Sequence, residues 1–248
     1  MPTMSPCQIC GGAASARFAT RGDIELFRCD GCGFVFMLPP PDAAMLEALY
    51  ADTYRGATQS YFTKVEAKLR RSRGRIRRLI RFLADREPRG KRFLDIGCNG
   101  GFMVEAARET GFAATGLEPD GAAIAWARRH YPDNRYVHGL LESTPLEPSS
   151  FDAAYCSEVI EHAPDANRFA AALAGCLKPG GIVYLTTPDI SHWRRPRDLD
   201  RWDAFCPPAH CVFYGPRNLA TLLAKHGLLV VHRAIAFKPG IKLIARRA

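Results

Sequence analysis

Arg92-Phe-Leu-Asp95-Ile96 is a short apolar run carrying one carboxylate, and Gly97-Cys98-Asn99-Gly100-Gly101 follows it directly, ahead of a helical stretch beginning near Phe102. Strand, glycine turn and helix in that order make a nucleotide-type site, because glycines let the backbone approach a ligand closely. The next apolar run, Phe112 to Leu117, leads into Glu118 and then Pro119. A carboxylate at that strand end can accept both hydroxyls of a ribose. The 23 residues from Asp95 to Glu118 suit one strand-helix-strand step. The plain alternative for the loop is an ordinary strand-to-helix turn. A dinucleotide fingerprint is disfavoured, since the bulky Phe102 occupies its third glycine position.

Outward from that loop, the 248 residues and 47% hydrophobic content predict one sizeable α/β core with a small appendage. No apolar run approaches the roughly 18 residues of a membrane span, and the opening residues lack the apolar stretch of a secretory signal. The expectation is a cytoplasmic protein without a membrane span. The net charge of +9 is uneven: Lys64 to Arg92 holds thirteen Lys/Arg against Glu66, Asp85 and Glu87. Within it, Val65, Leu69, Ile76, Leu79, Ile80 and Leu83 follow a helical repeat, which predicts a helix docked on one face with arginines around the rest. Those arginines read either as a solvated face or as a phosphate-binding surface for RNA; the lack of interleaved aromatics favours the first.

Nine cysteines with no export signal point to reduced thiols and metal thiolates. Cys7 and Cys10 form one C-x2-C pair, Cys29 and Cys32 another, and eighteen residues separate the pairs, the spacing of a four-thiolate zinc ribbon. Four thiolates leave no open position, so the zinc is expected to be structural. A redox pair or unpaired buried cysteines are the alternatives. Phe34 to Leu38 reads as a strand, and Pro39-Pro40-Pro41 ends the module.

Taken together, LDIGCNGGF at 94–102, Phe151-Asp152 through Ser157 to Glu161-His162, and the LKPGG turn at 177–181 resemble motifs of class I S-adenosylmethionine (SAM) dependent methyltransferases, in the family's order. With the two cysteine pairs, Pro41-Asp42 and Tyr50-x3-Tyr54, the chain is similar to bacterial zinc-ribbon methyltransferases of sugar and natural-product pathways. The resemblance implies a seven-stranded Rossmann-like sheet with a small N-terminal ribbon, divided as ribbon 1–41, helical linker or lid 42–90 and SAM-binding domain 91–248. It implies SAM contacts from Asp95, Gly97, Cys98, Asn99, Gly100, Gly101, Glu118, Pro119, Leu141, Glu142 and Ser157. Asn99 stands where the family has its middle glycine, and Leu140 where relatives often have an acid that meets the adenine amine.

For the methyl acceptor, Pro207-Pro208-Ala209-His210-Cys-Val-Phe-Tyr214 lies between the fifth strand and a helix started by Pro216, a place for active-site loops. His210 is the first candidate for general base, with a structural loop histidine as the alternative. The resemblance supports that position, although Ala209 replaces the glutamate relatives carry before the histidine. His162 is the second candidate base and Glu161 an orienting carboxylate, against purely local roles for both. Tyr50, Tyr54 and Tyr61 are candidates to close over the cofactor, or core residues. His192 to Trp202 reads as a lid whose Arg194 and Arg195 suit a phosphate or carboxylate. The expected function is methyl transfer to a small molecule, O-methylation of a sugar, nucleotide-linked sugar or natural-product intermediate. A sugar C-methyltransferase, an RNA methyltransferase and a catalytically silent zinc-bearing binding protein are the alternatives.

Overall fold

The computed structural model describes residues 6–12, 14–42, 45 and 62–248. Its centre is a sheet of seven strands in the order β10-β11-β8-β7-β4-β5-β6. These are β4 (Arg92–Ile96), β5 (Ala113–Glu118), β6 (Arg135–His138), β7 (Phe151–Ser157), β8 (Leu177–Thr187), β10 (Leu228–Arg233) and β11 (Ile241–Arg247). The first five in chain order are parallel, while β11 runs antiparallel to both β8 and β10. Apart from the half-buried Arg92, the residues of β4 are buried, as expected of a strand covered on both faces. From β4 the chain steps through β5 and β6 on one side and through β7 and β8 on the other. That reversal places a crevice at the carboxyl end of β4, where the glycine turn lies.

The covering helices are α1 (Val65–Ile80), α2 (Phe102–Arg108), α3 (Gly121–His130), α4 (Ala166–Cys176) and α5 (Pro216–Lys225). The repeat read in the basic segment is realised in α1, where Leu69, Ile76 and Leu79 are buried together with Ser72. They join Phe93, Val104 and Phe112 in one core, while Phe169, Leu173, Leu219 and Leu222 of α4 and α5 build the core on the opposite face. Arg73 ties the outer side of α1 to Glu109 through two hydrogen bonds of 2.7 and 2.6 Å.

The N-terminal strands β1 (Ala14–Arg21), β2 (Ile24–Cys29) and β3 (Val35–Leu38) form an antiparallel meander, and its fourth strand comes from far along the chain. This is β9 (Val212–Phe213), paired with β3 through Val35 and Phe36. Gln8 adds a second tie: its amide donates to the Pro164 carbonyl at 2.8 Å and accepts from the Ala166 amide at 2.8 Å, while Asn167 donates to its backbone carbonyl at 2.7 Å. The cysteine module is therefore built into the wall of the main domain at both α4 and β9. Tyr50, Tyr54 and Tyr61 lie outside the described residues. Among those described, no helix is long and apolar enough to cross a membrane.

Candidate functional site

A cavity of about 650 Å³ opens at the carboxyl ends of β4, β5 and β7, within the size range of small-ligand sites. Its floor is the turn after Ile96. Gly97 adopts φ +73°, and a Cβ there would sit 2.6 Å from the Val159 side chain. Gly101, at φ +75°, caps α2, and a Cβ on it would meet the Tyr136 hydroxyl at 2.5 Å. Asn99 is also left-handed, at φ +43°, a conformation that asparagine tolerates better than other non-glycine residues. The glycine missing from the middle of the motif is thus replaced by the side chain best able to keep its backbone shape. The Oδ1 atom of Asn99 is buried without a hydrogen-bond partner, so this loop retains an unmet acceptor beside the cavity.

Two buried carboxylates face each other across the floor. Glu118 accepts the Asn99 amide at 2.8 Å through one oxygen and the Asp120 amide at 2.9 Å through the other. A carboxylate offers about four lone-pair sites, so two sites remain for hydroxyls of a ligand. Burial raises its pKa, and those two amides pull it partly back. Asp95 is raised well above its ordinary value, first by burial and then by the charge of Glu118, with the Arg75 guanidinium opposing. A cationic ligand beside these two buried carboxyls would favour their ionised forms, and the sulfonium and ammonium groups of SAM match that demand.

Of the expected SAM contacts, Asp95, Gly97, Cys98, Asn99, Glu118, Pro119, Leu141, Glu142 and Ser157 all line the cavity, while Gly100 and Gly101, at the end of the turn, are not among the lining residues. Sequence reasoning missed Lys68, Arg71 and Arg75 of α1, which form part of the cavity wall together with Ser72. Their spacing of three, four and seven residues was itself a readable signal, since it marks one face of a helix. The basic segment therefore turns part of its charge inward, and Arg75 stacks 5.9 Å from the Tyr155 ring centre. Arg194 and Arg195 are not among the cavity-lining residues; Arg194 covers the exposed Trp193 ring and Arg195 donates to the Pro196 carbonyl.

Beside the cavity, Glu161, His162 and His210 come together, although 48 residues separate the first from the last. Ile160–His162 forms a single 3-10 turn after β7, and His210 precedes β9. The two imidazole rings meet edge to face, 4.6 Å apart. His162 Nδ1 lies 2.7 Å from the Ala209 carbonyl and His210 Nδ1 2.7 Å from the Ala204 carbonyl. A carbonyl only accepts, so each Nδ1 carries the proton and each Nε2 keeps its lone pair. Burial lowers the pKa of His162; for His210, burial and the neighbouring His162 push it down to about 4. Both rings are therefore neutral near pH 7. Glu161 is fully buried, and its pKa is raised by that burial and by the Glu158 carboxylate. Only His162 of the three lines the cavity; His210 and Glu161 lie behind it.

The four cysteines of the N-terminal module converge as their spacing predicts. Cys7 Sγ is 3.6 Å from Cys32 Sγ and Cys10 Sγ is 3.4 Å from Cys29 Sγ, and all four sulfurs lie within 4.8 Å of one another. A tetrahedron with zinc–sulfur bonds of 2.3 Å has edges of about 3.8 Å, so the cluster fits a structural zinc. All four are free thiols, without a disulfide.

Comparison with known proteins gives the same picture. The family described as "Methyltransferase domain" matches residues 68–233. A ubiquinone biosynthesis O-methyltransferase of Thiobacillus denitrificans is 36% identical over 114 residues, covering 44% of this chain and 49% of that protein. Its counterpart in Pseudomonas aeruginosa is 36% identical over 103 residues, covering 40% of this chain and 44% of that protein. The chain thus spans about half the length of these curated relatives. Among solved structures, magnesium protoporphyrin IX methyltransferase from Synechocystis PCC 6803, with bound S-adenosylhomocysteine (SAH), superposes with a TM-score of 0.63 at 14% identity, covering 84% of this chain and 100% of that one. The 1,6-didemethyltoxoflavin-N1-methyltransferase of Burkholderia thailandensis gives 0.61 at 16% identity, covering 94% and 100%. At such identities these two structures show the shared fold.

Proposed function

Because the chain belongs to the methyltransferase-domain family, we propose that it transfers the methyl group of SAM to a hydroxyl of a small-molecule acceptor. The observation that carries this reading is the pairing of the glycine turn with Asp95 and Glu118 around one cavity, with Asn99 Oδ1 left unpaired beside it. When bound, SAM supplies an electrophilic methyl carbon on a sulfonium. The chain's part is to hold that donor and an acceptor in line, and positioning alone can contribute several kcal/mol.

In this reading the two free acceptor sites of Glu118 take the ribose hydroxyls, and Asp95, Gly97 and Asn99 surround the methionine end. Leu140, Leu141 and Glu142 edge the purine. Lys68, Arg71 and Arg75 supply positive charge at the cavity wall, which suits the methionine carboxylate or an anionic group on the acceptor, such as the phosphates of a nucleotide-linked sugar. The proton leaving the acceptor hydroxyl goes to the histidine cluster, with His162 at the cavity and His210 behind it. A placed general base is worth roughly 10²- to 10⁴-fold in rate.

Support for an oxygen acceptor comes from the two ubiquinone biosynthesis O-methyltransferases, and support for a small one from the cavity's volume. The test is a labelled-methyl screen against phenols, nucleotide sugars and RNA, run with the His210→Ala variant alongside. Transfer to a hydroxylated small molecule that falls at least 100-fold in the variant, with SAH affinity preserved, is the expected result. Transfer to RNA alone, or turnover unchanged by the substitution, would overturn the acceptor and base assignments respectively.

A further inference from the structure

Glu161, His162 and His210 have a second property that methyl transfer does not require. One ligand atom from each lies within 4.8 Å of the others, which brings a nitrogen of each imidazole and one carboxylate oxygen into a single cluster. Both Nδ1–H groups are already committed to backbone carbonyls, of Ala209 and Ala204, so each ring is held in the tautomer whose Nε2 is bare. Glu161 Oε2 is held by the Thr187 hydroxyl at 2.9 Å, and its Oε1 is buried with no hydrogen-bond partner. Metal-ligating histidines almost always donate their other N–H to a carbonyl or carboxylate, and ligating carboxylates are themselves hydrogen-bonded. The cluster therefore has both the donor atoms and the outer supports of a metal centre, and one oxygen of its carboxylate is buried without a hydrogen-bond partner.

We propose that Glu161, His162 and His210 form a binding site for a divalent transition cation, distinct from the four-cysteine cluster. Two imidazoles and one carboxylate suit first-row ions such as Zn2+, Co2+, Fe2+ or Mn2+ and leave coordination positions open. Glu158, next to Glu161, adds negative charge to the neighbourhood. Because His162 belongs to the cavity wall, the ion sits at the cavity's edge, where an acceptor oxygen reaching it would be made more acidic. A bound ion occupies the Nε2 lone pairs that otherwise take the proton, so the proton of an acceptor hydroxyl acidified by the ion leaves to solvent water; the inference rests on the methyl-transfer reading and deepens it by naming a second means of activation at the same cluster.

The experiment titrates Co2+ into full-length protein whose cysteine site is loaded with zinc, following visible absorption, zinc release and SAH affinity on one sample. The expected result is one Co2+ per chain, with d–d bands of nitrogen and oxygen ligation, no sulfur-to-cobalt charge-transfer band and no zinc released. His210→Ala and His162→Ala should each weaken Co2+ binding at least 100-fold, and Thr187→Val, which removes only an outer support, about 10-fold or more. Thermal melting and retained zinc identify variants that are still folded. Absence of Co2+ binding at 1 mM overturns the proposal, as does binding with sulfur bands and zinc release, or binding unchanged in the folded histidine variants. Loss of SAH binding is a separate readout: it strikes the methyl-transfer reading and leaves the cation result to stand or fall by itself.

Discussion

Gly97 in the glycine turn and the carboxylate of Glu118 shape the floor of the cavity. Gly97 combines a left-handed backbone with a side-chain approach closed off by Val159. Gly97→Ala should therefore weaken SAH binding at least 10-fold in calorimetry. Adding Val159→Ala should recover only the part due to the collision, because the left-handed backbone still costs an alanine about 1–2 kcal/mol. Full recovery would mean that the backbone conformation is unimportant. For Glu118, the Glu118→Gln variant removes charge while keeping an acceptor oxygen; losing a hydrogen bond to a charged group costs about 1.5–3 kcal/mol, so SAH affinity should fall by roughly 10- to 100-fold. Both residues could be read directly from the sequence, since a glycine turn and a carboxylate one strand later are local features. The fate of Asn99 could not, because whether it keeps the turn depends on its backbone angle and not on its type.

At the scale of elements, apolar runs and periodicity located β4, β5 and α1, the family resemblance located β7, and Pro216 marked the start of α5. Periodicity could not locate β9, two residues long, which is a strand only because β3 lies beside it. Nor did it separate the arginines of α1 into two faces with different work. Arg71 and Arg75 line the cavity, whereas Arg73 points away and pairs with Glu109. Arg75→Met should weaken SAH binding several-fold through loss of positive charge at the cavity wall. Arg73→Ala should leave it unchanged and barely move the midpoint of denaturant unfolding, as exposed pairs do. Equal effects from the two substitutions would contradict the facing of α1. The insertion after β8 read as a lid from its composition, yet Arg194 and Arg195 make local contacts, a distinction that depends on where the loop packs.

For the molecule as a whole, the four cysteines act at a distance. A zinc ion held by the four cysteines would brace Gln8, which holds the start of α4, and β3, which holds β9 just after His210. Removing zinc with a chelator should thus lower both the melting temperature and SAH affinity, because Ala163, Pro164 and Asp165 at that junction line the cavity. A falling melting temperature with SAH affinity intact would show the ribbon to be an independent module. The sequence revealed the ribbon and the main domain as separate patterns; their union rests on contacts more than 150 residues apart in the chain, which no local pattern encodes. The proposed role of the turn after Ile96 and the carboxylates of Asp95 and Glu118 is to hold an adenosyl donor. Calorimetric titration of zinc-loaded protein with SAH tests it most directly. Saturable one-to-one binding between about 1 μM and 1 mM, lost in an Asp95→Ala, Glu118→Ala double variant that still melts cooperatively, is the predicted result; no binding at millimolar SAH, or binding that survives the double substitution, would contradict it.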